Sequence, residues 1–476
     1  MANRLRITAL VSLAMVNVCA LGAGVAVARL LPGRLALWNI PRVAAAPLVA
    51  GGQVLRPAQS AGPLPTSHGL SAALAPILAS RALGSHVAAV VTDPVSGAVL
   101  FSSGGSSPAE PASTAKLATG VAALAALGPG ARFTTRVVAG AAAGSVVLVG
   151  GGDPTLTAGP PPASDYPQPA TLASLAAAAA RSLRTQGLTR VRLSYDTSLF
   201  SGPLLAPGWP IGYVSTGNVT PITSLEVDQG RLTPSGRPED ADNPGNFRPR
   251  SFDPAAVAAT AFGSFLKADG IIVTGPVAPG TAPAGAATIA AVTSLPLSAV
   301  VGWMLRESNN VIAEDLARQV ALHAGAAASF SGAAAAVTRV LRGLDVSGIR
   351  LVDGSGLSPD DRFTPSALTS LVAVAAGAGH AQLRPAVTGM PVAGFSGTLA
   401  PDQSVFGHFT GPALGAVRAK TGNLDTVATM AGLAYDRQGQ VLAFAFMADQ
   451  VPPGSLTQAA AEIDAMATLL AGCGCR

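Results

Sequence analysis

Short apolar runs separated by turn signals occur near both ends of this chain. Runs at 87–92 and 98–102 flank Asp93-Pro-Val-Ser-Gly97, a sequence typical of a hairpin turn. Far along the chain, runs at 427–435 and 441–447 flank a second turn, and apolar residues at helical spacing follow at 456–470. We therefore predict that strands and helices from both ends share one sheet, which makes the long middle segment an insertion.

The middle segment differs in its pattern from the two ends. Its β-like runs are short and are separated by loops rich in Pro and Gly; they lie at 134–138, 145–149, 190–194 and 271–273. This pattern predicts a mainly β accessory domain at 132–296. The main domain, of mixed α/β (α+β) class, would then consist of residues 81–131 and 297–471.

Composition and charge narrow the function classes. Hydrophobic residues make up 49% of the 476 positions and charged residues 12%, which indicates a globular or membrane-attached protein. The formal charge of +5 has a local origin, because five of the 30 basic residues lie before position 43, where there is no acid, and 25 basic and 25 acidic residues remain. We find no basic stripe, so the composition gives no support for nucleic-acid binding.

An apolar run at 7–28, preceded by Arg4 and Arg6, is typical of an export signal. Its 22 residues are also long enough to span a bilayer of about 30 Å. We expect residues 1–30 to be a signal peptide or a membrane anchor, with membrane contact through 7–28, and residues 31–80 to be a Pro/Gly/Ala-rich linker. The rest of the chain is then expected outside the cytoplasm, in the cell envelope.

Histidine and cysteine provide no pattern for a metal site. The five histidines are isolated in sequence, and Cys19 lies within the apolar run. Cys473 and Cys475 are separated by one residue, a spacing that strains a mutual disulfide, so we interpret them as part of a frayed tail. We expect no metal and no cofactor.

Ser113-Thr-Ala-Lys116 is the first motif with chemistry. Apolar residues follow it at helical spacing, which predicts that Ser113 lies at a helix amino terminus with Lys116 one turn further on the same side. The helix dipole would favour negative charge on the Ser113 oxygen, and a desolvated Lys116 could take up its proton.

Ser308-Asn-Asn310 and Lys420-Thr-Gly422 supply the remaining parts of an acyl-transfer site. The Ser308 hydroxyl could relay a proton, and the Asn310 amide could bind a substrate carbonyl. Lys420, Thr421 and Gly422 precede a predicted strand whose edge could pair with an extended peptide. Each motif alone is weak, but the three in this order, 195 and 112 residues apart (308 − 113 and 420 − 308), are not expected by chance.

These motifs match the signature of penicillin-recognising serine enzymes. The chain resembles the low-molecular-mass class C penicillin-binding proteins, the D-alanyl-D-alanine carboxypeptidase/endopeptidase family (peptidase family S13), over most of residues 85–470. The resemblance rests on the sequences at 112–116, 150–156, 304–314, 353–357 with 364–365, and 418–424.

The resemblance implies a β-lactamase/transpeptidase-like domain with a domain inserted between the first and second motifs. It implies that Ser113 is the acylated nucleophile and Lys116 its base, and that Ser308 acts with them in catalysis. It also implies a set of substrate-binding residues: Asn310, Lys420, Thr421, Gly422 and Asn423. The backbone N–H groups of Ser113 and Asn423 would form the oxyanion hole. Two features depart from the family pattern: Asn309 stands where many relatives have Asp, and the insertion is shorter than in the largest members.

The function expected from the residues and the resemblance together is a serine D,D-peptidase. It would cleave the terminal D-Ala-D-Ala of peptidoglycan stem peptides, could also cleave the D,D-cross-link, and would be acylated by β-lactam antibiotics. The alternatives are a β-lactamase and a non-catalytic wall-binding or β-lactam-sensing protein. No Glu-x-x-x-Asn element of the kind that speeds deacylation is evident, and a binding protein has no need for a nucleophile and two amines.

Overall fold

The computed structural model describes residues 63–160, 167–233 and 248–475. The predicted signal or anchor at 1–30, with its run at 7–28, and the predicted linker as far as residue 62 lie outside these residues. In chain order the helices are α1 (Ser67–Leu78), α2 (Ala115–Leu127), α3 (Leu172–Thr185), α4 (Gly212–Ser215), α5 (Pro254–Ala268), α6 (Leu297–Arg306), α7 (Asn310–His323), α8 (Phe330–Arg342), α9 (Pro365–Ala376), α10 (Arg384–Thr388) and α11 (Leu456–Gly472). The strands are β1 (Val87–Thr92), β2 (Val99–Ser103), β3 (Thr134–Ala139), β4 (Ser145–Val149), β5 (Arg190–Asp196), β6 (Ile272–Val273), β7 (Ala278–Pro279), β8 (Thr288–Thr293), β9 (Ile349–Arg350), β10 (Arg362–Phe363), β11 (Val417–Leu424), β12 (Val427–Tyr435) and β13 (Val441–Ala448).

The first sheet joins the two ends of the chain, as the apolar runs predicted. Its five strands are antiparallel in the order β11-β12-β13-β1-β2, and β1 pairs with β13 from Val87↔Ala448 to Thr92↔Ala443. Every residue of β13 is buried, and β12 is buried up to its last residue. Continuous apolar runs suit such strands, because helices cover both faces of the sheet.

Two hydrophobic clusters lie on the two faces of this sheet. On one face α11 and α1 pack through buried residues that include Leu70, Ile463 and Met466. On the other face the cluster unites helices α2, α6, α7, α8 and α9, with α2 buried along almost its whole length. This burial fixes the start of α2, where the first motif lies.

The middle segment forms a second sheet with helices of its own. Its strands run in the order β6-β5-β4-β3-β8, with β7 also paired to β5, and the pairs on either side of β5 are parallel. Helices α3 and α5 pack with this sheet in one apolar cluster. The insertion therefore contains two helices of 14 and 15 residues beside its strands, which the description as mainly β did not include.

Two predictions about flexible segments are wrong. Within the predicted linker at 31–80, residues 67–78 form α1, because Thr66 caps the helix and Leu70 and Leu74 are buried against α11. The carboxyl-terminal tail is not frayed, because Cys473 is buried and forms a disulfide with Cys475. The Cys475 carbonyl also accepts a hydrogen bond from the Thr66 N–H. Among the described helices, none is long and apolar enough to cross a membrane.

Candidate active site

A strained turn presents Ser113. Residues Ala112–Thr114 form a 3-10 turn that leads directly into α2. Ala112 has φ 45°, in a region that disfavours residues with a side chain, and it is completely buried. Gly356 lies against the turn so closely that a Cβ at this position would overlap the Ala112 carbonyl. The surroundings therefore hold the turn in a conformation that points the half-buried Ser113 into the site.

Lys116 lies one turn beyond Ser113 and is completely buried. Its Nζ contacts three oxygen atoms: Ser113 Oγ at 2.8 Å, Asn310 Oδ1 at 2.7 Å and the Ser355 carbonyl at 2.7 Å. Burial lowers the pKa of Lys116 from 10.5 to about 7, and outweighs the opposite effect of nearby carboxylates, of which Asp353 is the largest contributor. At neutral pH the amine can therefore accept the Ser113 proton.

Ser308 and Lys420 form a second pair beside the first. Ser308 has φ 55° in the turn between α6 and α7, and its hydroxyl accepts a hydrogen bond of 2.9 Å from Lys420 Nζ. Lys420 also donates to the Thr421 carbonyl at 2.6 Å. Burial, with the charge of Lys116 as the next contribution, holds the pKa of Lys420 well below 10.5. The two amines are thus near enough to influence each other's protonation.

The outer edge of β11 is covered at one end only. Residues 391–393 pair with it, since Ala393 N–H donates to the Val417 carbonyl and Ala419 N–H donates to the Pro391 carbonyl. In the part of the chain that the structure describes, no strand continues this pairing along residues 420–424. This stretch, which holds the third motif, is therefore an open edge for an extended ligand.

At Gly422, the open edge of β11 passes close to the 112–114 turn that carries Ser113. A Cβ at this position would lie 2.8 Å from the Pro111 carbonyl oxygen and 2.9 Å from the Ser113 nitrogen, so only glycine allows this approach. The next residue, Asn423, is exposed on the strand. The Thr421 hydroxyl shares a hydrogen bond of 2.7 Å with Thr398. The backbone N–H of Ser113 and the edge of β11 thus border the same space.

The inserted segment completes the site, which sequence reasoning did not anticipate. The Asn218 carbonyl accepts a hydrogen bond of 2.8 Å from Asn310 Nδ2, so the Asn310 amide is held at both ends. Trp209 Nε1 donates to buried Asp353 at 2.8 Å. Asn309, to which no chemistry was assigned, caps α7 and donates to Gln229 Oε1. No sequence pattern marks Trp209 or Asn218, because both contacts depend on how the insertion folds back.

The sequence Asp353-Gly-Ser-Gly-Leu forms a loop that is part of this site. Asp353 accepts hydrogen bonds from the backbone N–H groups of Ser355, Gly356 and Ser358, which shapes the loop. The loop in turn presents the Ser355 carbonyl to Lys116. Burial raises the pKa of the neighbouring Glu314 to about 7, while that carboxyl accepts the Gly354 N–H. The sequence marked this stretch only through the family resemblance.

The fold and this site provide the parts of a serine-type peptidase: two serine hydroxyls, Ser113 and Ser308, each in contact with a buried amine, Lys116 and Lys420. The model of the D-Ala-D-Ala carboxypeptidase 3 (S13) family matches residues 70–247 and 236–472. The chain belongs to this family, as the motifs indicated, and is an enzyme of the D-Ala-D-Ala carboxypeptidase type.

Individual relatives agree with this assignment. The chain is 39% identical to carboxypeptidase Rv3627c of Mycobacterium tuberculosis over 434 residues, 90% of this chain and 89% of the relative. It is 30% identical to the D-alanyl-D-alanine carboxypeptidase of Actinomadura sp. strain R39 over 433 residues, 75% and 76% of the two chains. The fold is similar to that of penicillin binding protein 4 from Haemophilus influenzae, with a TM-score of 0.67, 22% identity and coverage of 84% and 99%. A second structure of that protein, with TM-score 0.61, is complexed with a β-lactam.

Proposed function

We propose that this enzyme removes the terminal D-Ala from peptidoglycan stem peptides through an acyl-enzyme on Ser113. The observation that supports this most directly is the contact between Lys116 Nζ and Ser113 Oγ, made by an amine whose pKa burial lowers to about 7. An ordinary surface lysine would be protonated at neutral pH and could not take up a proton.

In the first step the neutral Lys116 accepts the Ser113 proton while Ser113 Oγ forms a bond to the carbonyl carbon of the D-Ala-D-Ala peptide bond. The carbonyl oxygen becomes an oxyanion, which the backbone N–H groups of Ser113 and Asn423 would stabilise. The tetrahedral intermediate then breaks its C–N bond. The leaving D-Ala amine receives the proton that Lys116 took up, relayed through Ser308, which Lys420 contacts at 2.9 Å, and Lys116 is neutral again.

The acyl-enzyme is then hydrolysed by water, with Lys116 as the base that activates it. Water adds to the ester carbonyl, the bond to Ser113 Oγ breaks, and the serine recovers its proton. No further group is required, because the same two amines can move the proton in both directions.

The substrate would lie along the open edge of β11. Its backbone would pair with residues 420–424 as an added strand, and Asn310 would hold its amide. The terminal carboxylate would lie near the Thr421 hydroxyl, with the Lys420 amine as its neighbour. The closeness of Gly422 to the Ser113 nitrogen supports this arrangement, since it brings the strand edge to the nucleophile.

We extend the proposal to β-lactams and to the cross-link. A β-lactam presents a strained amide with an adjacent carboxylate, so it would acylate Ser113 by the same step, and the Haemophilus influenzae protein of similar fold is complexed with a β-lactam. A D,D-cross-link is another D-Ala amide, which would make endopeptidase cleavage a second use of the same residues. This activity belongs in the cell envelope, and we propose that residues 1–30 export or anchor the chain there.

Release of D-Ala from an N-acylated peptide ending in D-Ala-D-Ala tests the proposal. We expect release by the full chain and none above background by Ser113→Ala. A matched peptide ending in L-Ala-L-Ala should remain intact. Release that survives in Ser113→Ala, with the variant folded and homogeneous, would contradict the acyl-enzyme. A cross-linked dimeric peptide in the same assay separates endopeptidase from carboxypeptidase activity.

A further inference from the structure

Exposed hydrophobic side chains are unevenly distributed over the part of the chain that the structure describes. Ten large ones are well exposed, and five of these belong to the inserted segment between 199 and 272. The remaining five are Val95 (60% exposed), Val99 (61%), Phe395 (70%), Leu414 (47%) and Tyr435 (50%). We call these five the apolar end, because they all lie at one end of the first sheet.

The strand register shows that the five residues share this end. Thr92 pairs with Val99, and Val95 lies in the turn between these two residues. Thr92 also pairs with Ala443 of β13. Val441, two residues earlier in β13, pairs with Tyr435 at the end of β12. With five strands spaced by about 4.8 Å, the row from β11 to β2 is about 19 Å wide.

Leu414 and Phe395 lie in two loops next to the start of β11 and extend the apolar end there. Tyr435 N–H donates to the Ala416 carbonyl, two residues after Leu414. A Cβ at Gly415 would lie 3.6 Å from the Phe395 ring, so Phe395 and the 411–416 loop are in contact distance. The patch is thus continuous at the β11 corner of the sheet, where its most exposed member lies.

Few charged side chains are exposed in the segments and turns of the apolar end. The segments 387–401 and 409–417, which include Phe395 and Leu414, contain no Asp, Glu, Lys or Arg. The two acids of the adjoining turns are buried and bind backbone N–H groups: Asp93 those of Val95 and Ser96, and Asp436 those of Gln438 and Gln440. Arg437, at the tip of the second turn, is exposed. An apolar surface bordered by an arginine is complementary to a bilayer with anionic headgroups.

The first described residues also lie at this end. The Thr66 N–H, before the first turn of α1, donates to the Cys475 carbonyl. A Cβ at Gly474 would lie 3.4 Å from Gln438, and one at Gly472 would lie 3.2 Å from Pro412. In the sequence, residues 1–62, with the apolar run at 7–28, precede this first described segment.

We infer that the apolar end is a membrane-docking surface, which lays the body against the lipid bilayer that residues 7–28 enter. This inference depends on the envelope location proposed above and not on the chemistry of the site. Phe395, Leu414 and Tyr435 would enter the headgroup region, where aromatic side chains are favoured. Thr421 lies four residues along β11 from Val417, about 13 Å further from this surface, so the open edge stays clear of the bilayer.

A fluorescence experiment on the full chain tests this docking. Phe395→Cys is prepared in a Cys19→Ser background, labelled with an NBD dye, and reconstituted into vesicles of phosphatidylcholine and phosphatidylglycerol. Phe252→Cys is the matched control, since Phe252 is the same residue type, is 58% exposed and lies in the inserted segment. The background variant alone corrects for any label on Cys473 and Cys475.

We expect the dye at position 395 to show blue-shifted emission, a severalfold rise in intensity, and quenching by doxyl-labelled lipid, with none of these at position 252. Three outcomes would overturn the inference. The first is water-like emission at both positions in protein that floats with the vesicles. The second is protein that does not float at all. The third is a blue shift at 395 without lipid that follows protein concentration and a doubled mass, which would assign the surface to a second copy. D-Ala release by the same labelled protein reports separately on the catalytic proposal.

Discussion

The rate of acylation by a β-lactam should rise with pH and become constant just above neutrality, because Lys116 must be neutral to accept the Ser113 proton. Burial lowers the pKa of this amine from 10.5 to about 7. The direction of the pH effect follows from the role: as pH rises through the pKa, more of the enzyme carries the neutral amine, and the rate increases until this fraction is complete.

The structure sets the size of this effect. With a pKa of 10.5 about one lysine in 3,000 would be neutral at pH 7, whereas with a pKa of about 7 half of them are, a gain of about 1,500-fold in the reactive form. Between about pH 6 and about pH 8 the neutral fraction rises from about 0.09 to about 0.9, so the acylation rate should rise about tenfold and then level off.

Stopped-flow acylation by a chromogenic cephalosporin, from about pH 5 to about pH 10, measures this profile. Glu110→Gln is the control, because burial raises the pKa of Glu110 to about 7 as well, and this carboxyl precedes the nucleophile turn. We expect the midpoint to stay in place in the control. A rate that keeps climbing to pH 10, or a midpoint that disappears in Glu110→Gln, would refute the role given to Lys116.

Three further predictions concern individual residues. Ser308→Ala should lower the acylation rate by about 10²- to 10⁴-fold in the same assay while the protein stays folded, because the hydroxyl that contacts Lys420 is lost. An unchanged rate would show that Ser308 does not carry the proton to the leaving group. Gly422→Ala should lower acylation by about a hundredfold, since its Cβ would push the strand away from Ser113, whereas Gly130→Ala, which meets no atom within 4 Å, should acylate normally. Glu226→Gln should stabilise the protein at alkaline but not at acidic pH. Burial holds the pKa of Glu226 well above 4.5. The stability that the neutral carboxyl provides is therefore complete below about pH 4.5 and is lost as the pH rises toward the pKa of the folded state, at up to about 1.4 kcal/mol per pH unit. Urea midpoints of wild type and variant that run parallel at all pH values would contradict this.

The strands of the first sheet and the three motifs could be predicted from the sequence, because both produce local sequence patterns. Alternating turns and apolar runs predicted β1, β12 and β13 within one residue of their ends. The helix start at Ser113 followed from the apolar spacing after it, and the structure brings this serine together with Lys116 and Asn310.

The properties that depend on burial and on long-range contacts were not accessible from the sequence. The lowered pKa of Lys116 results from packing among residues distant in sequence, and the Ser355 carbonyl that contacts its amine is 239 residues away. Trp209 and Asn218 reach the site only because the insertion folds over it. The sequence predicts a linker where helix α1 lies, because two buried leucines in a Pro- and Ala-rich stretch give a weak periodic signal.

The acyl-enzyme on Ser113 can be observed by intact-mass and peptide-mass analysis of the full chain after reaction with a penicillin, beside Ser113→Ala. We expect a mass increase of one penicillin per chain, located on the peptide that contains Ser113, and no increase in the folded variant. An adduct on another residue, an adduct that persists in Ser113→Ala, or no adduct on folded wild-type protein would contradict the account.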